Sequence, residues 1–273
     1  MQTKHRVVTG SNEIMKSVNN QSVHLVITQP PGWRINNMEE LSQVGYLEHY
    51  DDHLHQLKIV FADCYRTLLP GGKMCVIVGD QFCSSRNFGR FQIIPLHADT
   101  ILRCQSVGFD YQGAIIWEHQ PRSHKSGKPK LMGSYPYPRN GIVNINYQYI
   151  LIFKKPGKIE SFLDDTRESS ILSTDEWITF FDSSWRIPGS HSTSSDAYLP
   201  QQIAVRLIRM FSCVGDTILD PWAKNGITLA AARLLSRNSI GYEKNMEMLS
   251  IIAQHLGADD LSKDDAMIDF IKE

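Results

Sequence analysis

At 273 residues, with 42% hydrophobic and 21% charged side chains, the chain has the make-up of an ordinary soluble globule. That length fits one large α/β domain, or a domain with an inserted lobe. The 28 Lys and Arg against 29 Asp and Glu leave a formal charge of -1, which excludes global basicity and makes any polyanion-binding surface local.

"HRVVTG" reads as a short strand, residues 12–20 as a helix, and "VHLVIT" at 23–28 as a buried strand. Helical spacing over 47–68 stops at "LLPGG", before the strand "KMCVIVGD" at 73–80. A second helix covers 91–107, ended by Gly108, and the strand "GAIIW" at 113–117 follows. From 119 to 146 the composition shifts to Pro, Gly, Ser and cations. "YQYILIFKK" at 147–155 resumes the sheet. Residues 156–197 are again irregular and Ser-rich, with Trp177 and Trp185 read as core or lobe anchors. The end is regular: helix 200–212, strand "DTILD", helix 226–236, strand "SIGYE", helix 245–256. Strands alternating with helices of 10–20 residues predict an α/β, doubly wound, mostly parallel sheet. Residues 1–273 are expected to be one domain, with 119–146 and 156–197 as inserted loops or a small lobe. The cysteines at 64, 75, 83, 104 and 213 form no CxxC and read as reduced thiols, so no metal site is expected. "MQTKHRVV" is no apolar signal segment, and no apolar run is long enough to span a membrane, so a cytoplasmic location is expected.

In such a sheet, ligands bind at the carboxyl ends of strands. Three ends carry candidate residues. The first is Ser11-Asn12, and the second is Gln29-Pro30-Pro31-Gly32-Trp33. The third is Asp220-Pro221-Trp222-Ala223-Lys224-Asn225-Gly226, opening a helix, with Glu243 at the tip of the next strand. Gly226 permits close approach of backbone to a ligand. An acid one strand on suits ribose hydroxyls, although each end alone also reads as an ordinary strand-to-helix turn.

These residues resemble the β class of S-adenosylmethionine-dependent DNA amino-methyltransferases, which modify cytosine N4 or adenine N6. The family's catalytic motif is commonly Ser-Pro-Pro-Tyr or Asp-Pro-Pro-Tyr, often followed by Trp, and stands here as Gln29 to Trp33. The cofactor motif, commonly Asp-Pro-Phe-Ala-Gly-Ser-Gly-Thr-Thr, stands as "DPWAKNGIT" at 220–228. "YRTLLPGGKMCVIVGD", "IIWEHQ" and "QYILIFKKPG" extend the likeness over nearly the whole chain. The resemblance implies a seven-stranded, Rossmann-like methyltransferase fold. It also implies S-adenosyl-L-methionine as cofactor, DNA with a flipped base as partner, and a setting in restriction-modification. It favours the cytosine-N4 branch. An inactive homologue that binds nucleic acid or a partner subunit stays open, as do adenine-N6 methylation of DNA or RNA and a homodimer. By the resemblance, Gln29, Pro30, Pro31 and Trp33 are catalytic. Ser11, Asp220, Pro221, Trp222, Ala223, Asn225, Gly226 and Glu243 hold the cofactor.

An exocyclic amino group is a weak nucleophile because its lone pair is delocalised into the ring. Transfer needs acceptors for its N–H groups at fixed geometry, which two prolines help to lock. The base must also leave the stack and lie against an aromatic ring. No histidine base is required, so the ten histidines read as structural or exposed. Gln29 still accepts a hydrogen bond but carries no charge. Gly32 has no ring, leaving Trp33 as the only substitute. Lys224, in a glycine's place, either intrudes on the methionine portion of the cofactor or pairs with its carboxylate. Asn225 is expected to take the left-handed backbone of that turn. Ser11 stands where the family has an Asp for the adenine amino group. DNA contact is expected from Arg122, Lys125, Lys128, Lys130 and Arg139, interleaved with Tyr135 and Tyr137, although a plain solvated loop has the same composition.

Overall fold

The computed structural model describes residues 2–33, 49–83, 90–118, 133–159, 164–189, 198–258 and 266–273. The strands are β1 (Lys4–Thr9), β2 (Val23–Thr28), β3 (Leu68–Val78), β4 (Gln81–Cys83), β5 (Gln92–Ile94), β6 (Asp110–Glu118), β7 (Tyr147–Lys154), β8 (Ser184–Arg186), β9 (Thr217–Asp220), β10 (Asn238–Glu243) and β11 (Met267–Lys272). The helices are α1 (Tyr50–Thr67), α2 (Leu96–Val107), α3 (Asp164–Glu168), α4 (Thr174–Phe180), α5 (Gln201–Phe211), α6 (Ile227–Leu234) and α7 (Met248–Leu256).

Nine strands form one sheet in the order β11-β1-β10-β9-β2-β3-β7-β6-β8. The seven strands expected from sequence run contiguously through it, and β11 and β8 add one edge each. Pairing is parallel except where β7 lies antiparallel between β3 and β6. β4 and β5 form a separate antiparallel pair.

Alternation along the central strands supplies two cores. Val26, Met74, Val76, Val78 and Leu219 face α1 and α2, where Leu57, Phe61 and Cys64 meet them. Leu25, Ile27, Cys75, Ile77 and Ile218 face the other way, onto Ile203 and Leu207 of α5 and Ala231 of α6. Each fully buried aliphatic or aromatic side chain contributes about 1.5–3 kcal/mol, so the continuous apolar runs hold both helical layers on the sheet. No helix among the described residues is long and apolar enough to cross a membrane.

The structure corrects four expectations. Residues 12–20 are bends and turns, not a helix. Their spacing of Ile14, Met15 and Val18 mimics a helix, but distant groups take the backbone bonds. Met15 N donates to Asp63, and Arg66 donates to the Met15 and Val18 carbonyls. α2 begins at Leu96, because residues 92–94 pair as β5. The stretch 156–197 contributes two short helices and edge strand β8. There Trp185 is fully buried beside Trp117, whereas Trp177 is 58% exposed and stacks on Phe181, 4.4 Å away.

Gly241 in β10 shows how closely helix and sheet approach beneath the strand ends. A Cβ there would lie 2.8 Å from both Leu229 δ-carbons and 3.0 Å from Ala223. The Gly241→Ala protein is therefore expected to lose about 1–3 kcal/mol of stability, read as a lower unfolding midpoint in thermal denaturation. An unchanged midpoint would show that α6 can shift freely.

Candidate active site

β2 and β9 are neighbours in the middle of the sheet, paired in parallel through Leu25↔Ile218 and Val26↔Leu219. Their carboxyl ends therefore open at the same edge. Gln29 and Asp220 line one small cleft, together with Trp222, Lys224, Asn225 and Thr228. Residues almost two hundred positions apart are thus brought together by strand pairing alone.

Asp220 is 4% exposed, and burial pushes its carboxyl up to about 6. The hydroxyls of Thr228 and Thr28, the Trp222 N–H at 3.1 Å and the charge of Lys224 all favour the ionised form, without overcoming desolvation. Below the cleft, the Trp222 ring meets Phe61 edge-on at 6.3 Å, and Ala223 N donates to the Tyr242 carbonyl.

The left-handed residues of this loop are Lys224, at φ 51°, and Gly226, at φ 77°. The expectation for Asn225 is corrected. Asn225 is buried, and its carbonyl accepts a hydrogen bond from the His255 ring. A side chain at Gly226 would also strike Ile252 at 2.9 Å. Glu243 closes the loop from the next strand. Its carboxylate accepts from Asn245 N at 2.8 Å and from the Lys224 and Lys244 amides, while burial pushes its carboxyl up.

At the end of β1, Ser11 is exposed, and its hydroxyl accepts from Glu13 N. Its neighbour Asn12 is 2% exposed. Asn12 Nδ2 donates to the Pro221 carbonyl at 2.8 Å, and Oδ1 has no hydrogen-bond partner among the described residues. Sequence reasoning named both residues at this strand end but gave the cofactor role to Ser11, because nothing local says which of two polar residues beyond a strand turns in.

Pro30 and Pro31 are buried, and Gly32 is partly so. The Trp33 indole, the candidate substitute for the missing ring, is 6% exposed and meets Tyr50 at 5.1 Å, while its carbonyl accepts from Gln81 Nε2. Among the described residues, a Cβ on Gly32 would touch Gln81 Oε1 at 3.4 Å, an ordinary contact. Arg139 sits exposed in a single 3₁₀ turn, with Tyr135 and Tyr137 also exposed. Arg122, Lys125, Lys128 and Lys130 lie outside the described residues.

Comparison with known proteins gives a consistent result. Residues 23–254 match the family N6_N4_Mtase, described as DNA methylase. Type II methyltransferase M.MjaI of Methanocaldococcus jannaschii is 34% identical, over 93% of this chain and 92% of that protein. A crystal structure of a protein assigned as a DNA modification methylase from Thermus thermophilus, complexed with S-adenosyl-L-methionine, superposes with a TM-score of 0.78. It is 32% identical and covers 97% of either chain. The cytosine-N4-specific PvuII DNA methyltransferase superposes at 0.67 over 98% of this chain and 96% of that one, and at 17% identity its likeness concerns the fold.

Proposed function

The chain belongs to the N6/N4 DNA methylase family, and we propose that it binds S-adenosyl-L-methionine and methylates an exocyclic amino group in DNA, cytosine N4 being the favoured acceptor. The observation that carries this reading is the shared cleft of Gln29 and Asp220.

The donor set fits the cofactor. Asp220 offers a buried carboxylate to a cationic ligand, and Glu243 keeps acceptor capacity for ribose hydroxyls beside its backbone partners. Asn12 Oδ1 offers an unpaired acceptor at the end of β1, where Ser11 points out. When bound, the cofactor supplies an electrophilic methyl group on sulfonium. Gln29 Oε1 and the Pro30 carbonyl would accept the N–H groups of the acceptor nitrogen and position it for transfer. Arg139 and the cations of 119–132 would contact phosphate, with 119–146 and 156–197 forming the recognition surface. The N4 preference rests on the Pro-Pro and Trp33 text of the sequence.

The test supplies labelled S-adenosylmethionine and mixed-sequence DNA, then digests the product to nucleosides. N4-methylcytosine supports the reading, N6-methyladenine redirects it, and cofactor binding without any transfer supports an inactive homologue.

Lys224 carries a separate prediction. A non-glycine residue in the left-handed region is strained by roughly 1–2 kcal/mol, and its cation lines the cleft meant for a cationic ligand. Lys224→Gly is expected to raise the unfolding midpoint and to strengthen S-adenosylmethionine binding in calorimetry. Weaker binding would instead mean that the lysine pairs with the ligand's carboxylate.

A further inference from the structure

We propose that Asp80 and His97 are positioning residues for the acceptor site, closing a ring of contacts that holds the Gln29–Trp33 stretch at the edge of β2. The proposal deepens the methyl-transfer reading and rests on it.

The ring can be followed link by link. Gln81, opening β4, donates to the Trp33 carbonyl. The Trp33 indole lies 5.1 Å from Tyr50 at the start of α1. The Tyr50 hydroxyl donates to Asp99 at 2.6 Å, and Asp99 shares the first turn of α2 with His97. His97 Nδ1 stands 2.5 Å from Asp80 Oδ1, and Asp80 precedes Gln81 in the chain. Four segments that a ligand could push apart are thereby tied into one circuit. His97 also lies flat on Tyr149, with ring centroids 4.0 Å apart and planes 18° apart. Tyr149 stands opposite Val78, the last residue of β3. One pair therefore fixes both the motif stretch and the tyrosine beside it.

Partly exposed ion pairs contribute little net stability. The side chains of His97 and Asp80 are 25% and 10% exposed, so the consequence of the pair is geometric. Geometry matters more here than with a charged motif residue. Gln29 and the Pro30 carbonyl act only as neutral acceptors, and a 1 Å misplacement of such groups reduces rate by about 10²-fold.

The experiment compares His97→Gln, His97→Asn and Tyr50→Phe with the wild type by hydrogen exchange, S-adenosylmethionine calorimetry and steady-state kinetics. Asparagine places a donor near the Nδ1 position, whereas glutamine reaches the Nε2 position, so only asparagine should keep the Asp80 link. His97→Gln is expected to speed exchange at the amides of Gln29, Gly32 and Trp33 while Val23–Thr28 stays protected. Its kcat should fall roughly 10–10²-fold, with the KM for S-adenosylmethionine unchanged. His97→Asn should recover most of the loss. The Tyr50→Phe, His97→Gln double variant should be little worse than either single one, because both open the same ring. Unchanged exchange at 29–33 overturns the proposal, as do additive effects or cofactor affinity falling in parallel with kcat. Wild type that transfers no methyl group would remove the methyl-transfer reading, while hydrogen exchange would still decide the ring.

Discussion

The Gln29→Asp, Gly32→Tyr double variant is expected to methylate DNA at least about 10²-fold faster than the wild type, whose own turnover should be slow but measurable. Two deficits at one strand end motivate this. On the proposed reading, Gln29 and the Pro30 carbonyl would receive both N–H groups of a flipped base, so recognition would not need charge. As the nitrogen attacks, positive charge develops on it, and a carboxylate there is worth about 10²–10³ in rate. A ring at position 32 adds stacking of about 1–3 kcal/mol. A Cβ at position 32 would make ordinary contact with Gln81 Oε1 at 3.4 Å among the described residues, so the backbone there accepts a side chain. Gln29→Ser, which shortens the acceptor without adding charge, separates length from electrostatics. Robust wild-type methylation would refute the impaired-site reading. Silence in every variant would move the fault to the cofactor loop at 220–226.

S-Adenosylmethionine binding is expected to weaken below about pH 6, approaching tenfold per unit, because Asp220 titrates there in the free protein. A cationic ligand prefers the carboxylate, so affinity is fully present above that pH and is lost as Asp220 protonates. Calorimetry in buffers of different ionisation heat should show proton release on binding near pH 6. Stability runs the other way. Burial raises this carboxyl from 3.8 to about 6, so the fold favours the neutral form. That contribution is complete below the unfolded value and vanishes as pH rises through the folded one. Asp220→Asn should thus be more stable than wild type at pH 8, by up to about 3 kcal/mol, with the gap closing toward pH 4. The same variant should bind the cofactor poorly at every pH. Binding that ignores pH between 5 and 8 would mean that Asp220 does not meet the ligand's charge.

What the sequence made legible follows from burial. The central strands are runs such as "VHLVIT", buried on both faces, and they stand out against the helices between them. The edges did not stand out: β11 is "MIDFIK", mostly exposed, and β8 has three residues. Gln29, Asp220 and Glu243 were legible because a parallel sheet gathers strand ends at one rim. Asn12 and the Asp80–His97 pair were not. The first depends on which way a turn points, and the second joins residues whose histidine has no local pattern to mark it. The misread helix at 12–20 has the same origin, since Asp63, Arg66 and Glu273 hold it from far along the chain.

The place of β1 has a consequence for the order in which the molecule is made. β1 is the first strand in the chain, yet both its partners, β10 and β11, come from the last 36 residues. A ribosome delivers those partners only when the rest of the sheet has already emerged. β1 must wait unpaired, and its docking closes loops of more than 230 residues, the slow kind of contact. In pulse-labelled refolding, the amides of His5 to Val8 should gain protection after those of β2 and β3. Early protection there would mean that the strand finds a temporary partner elsewhere.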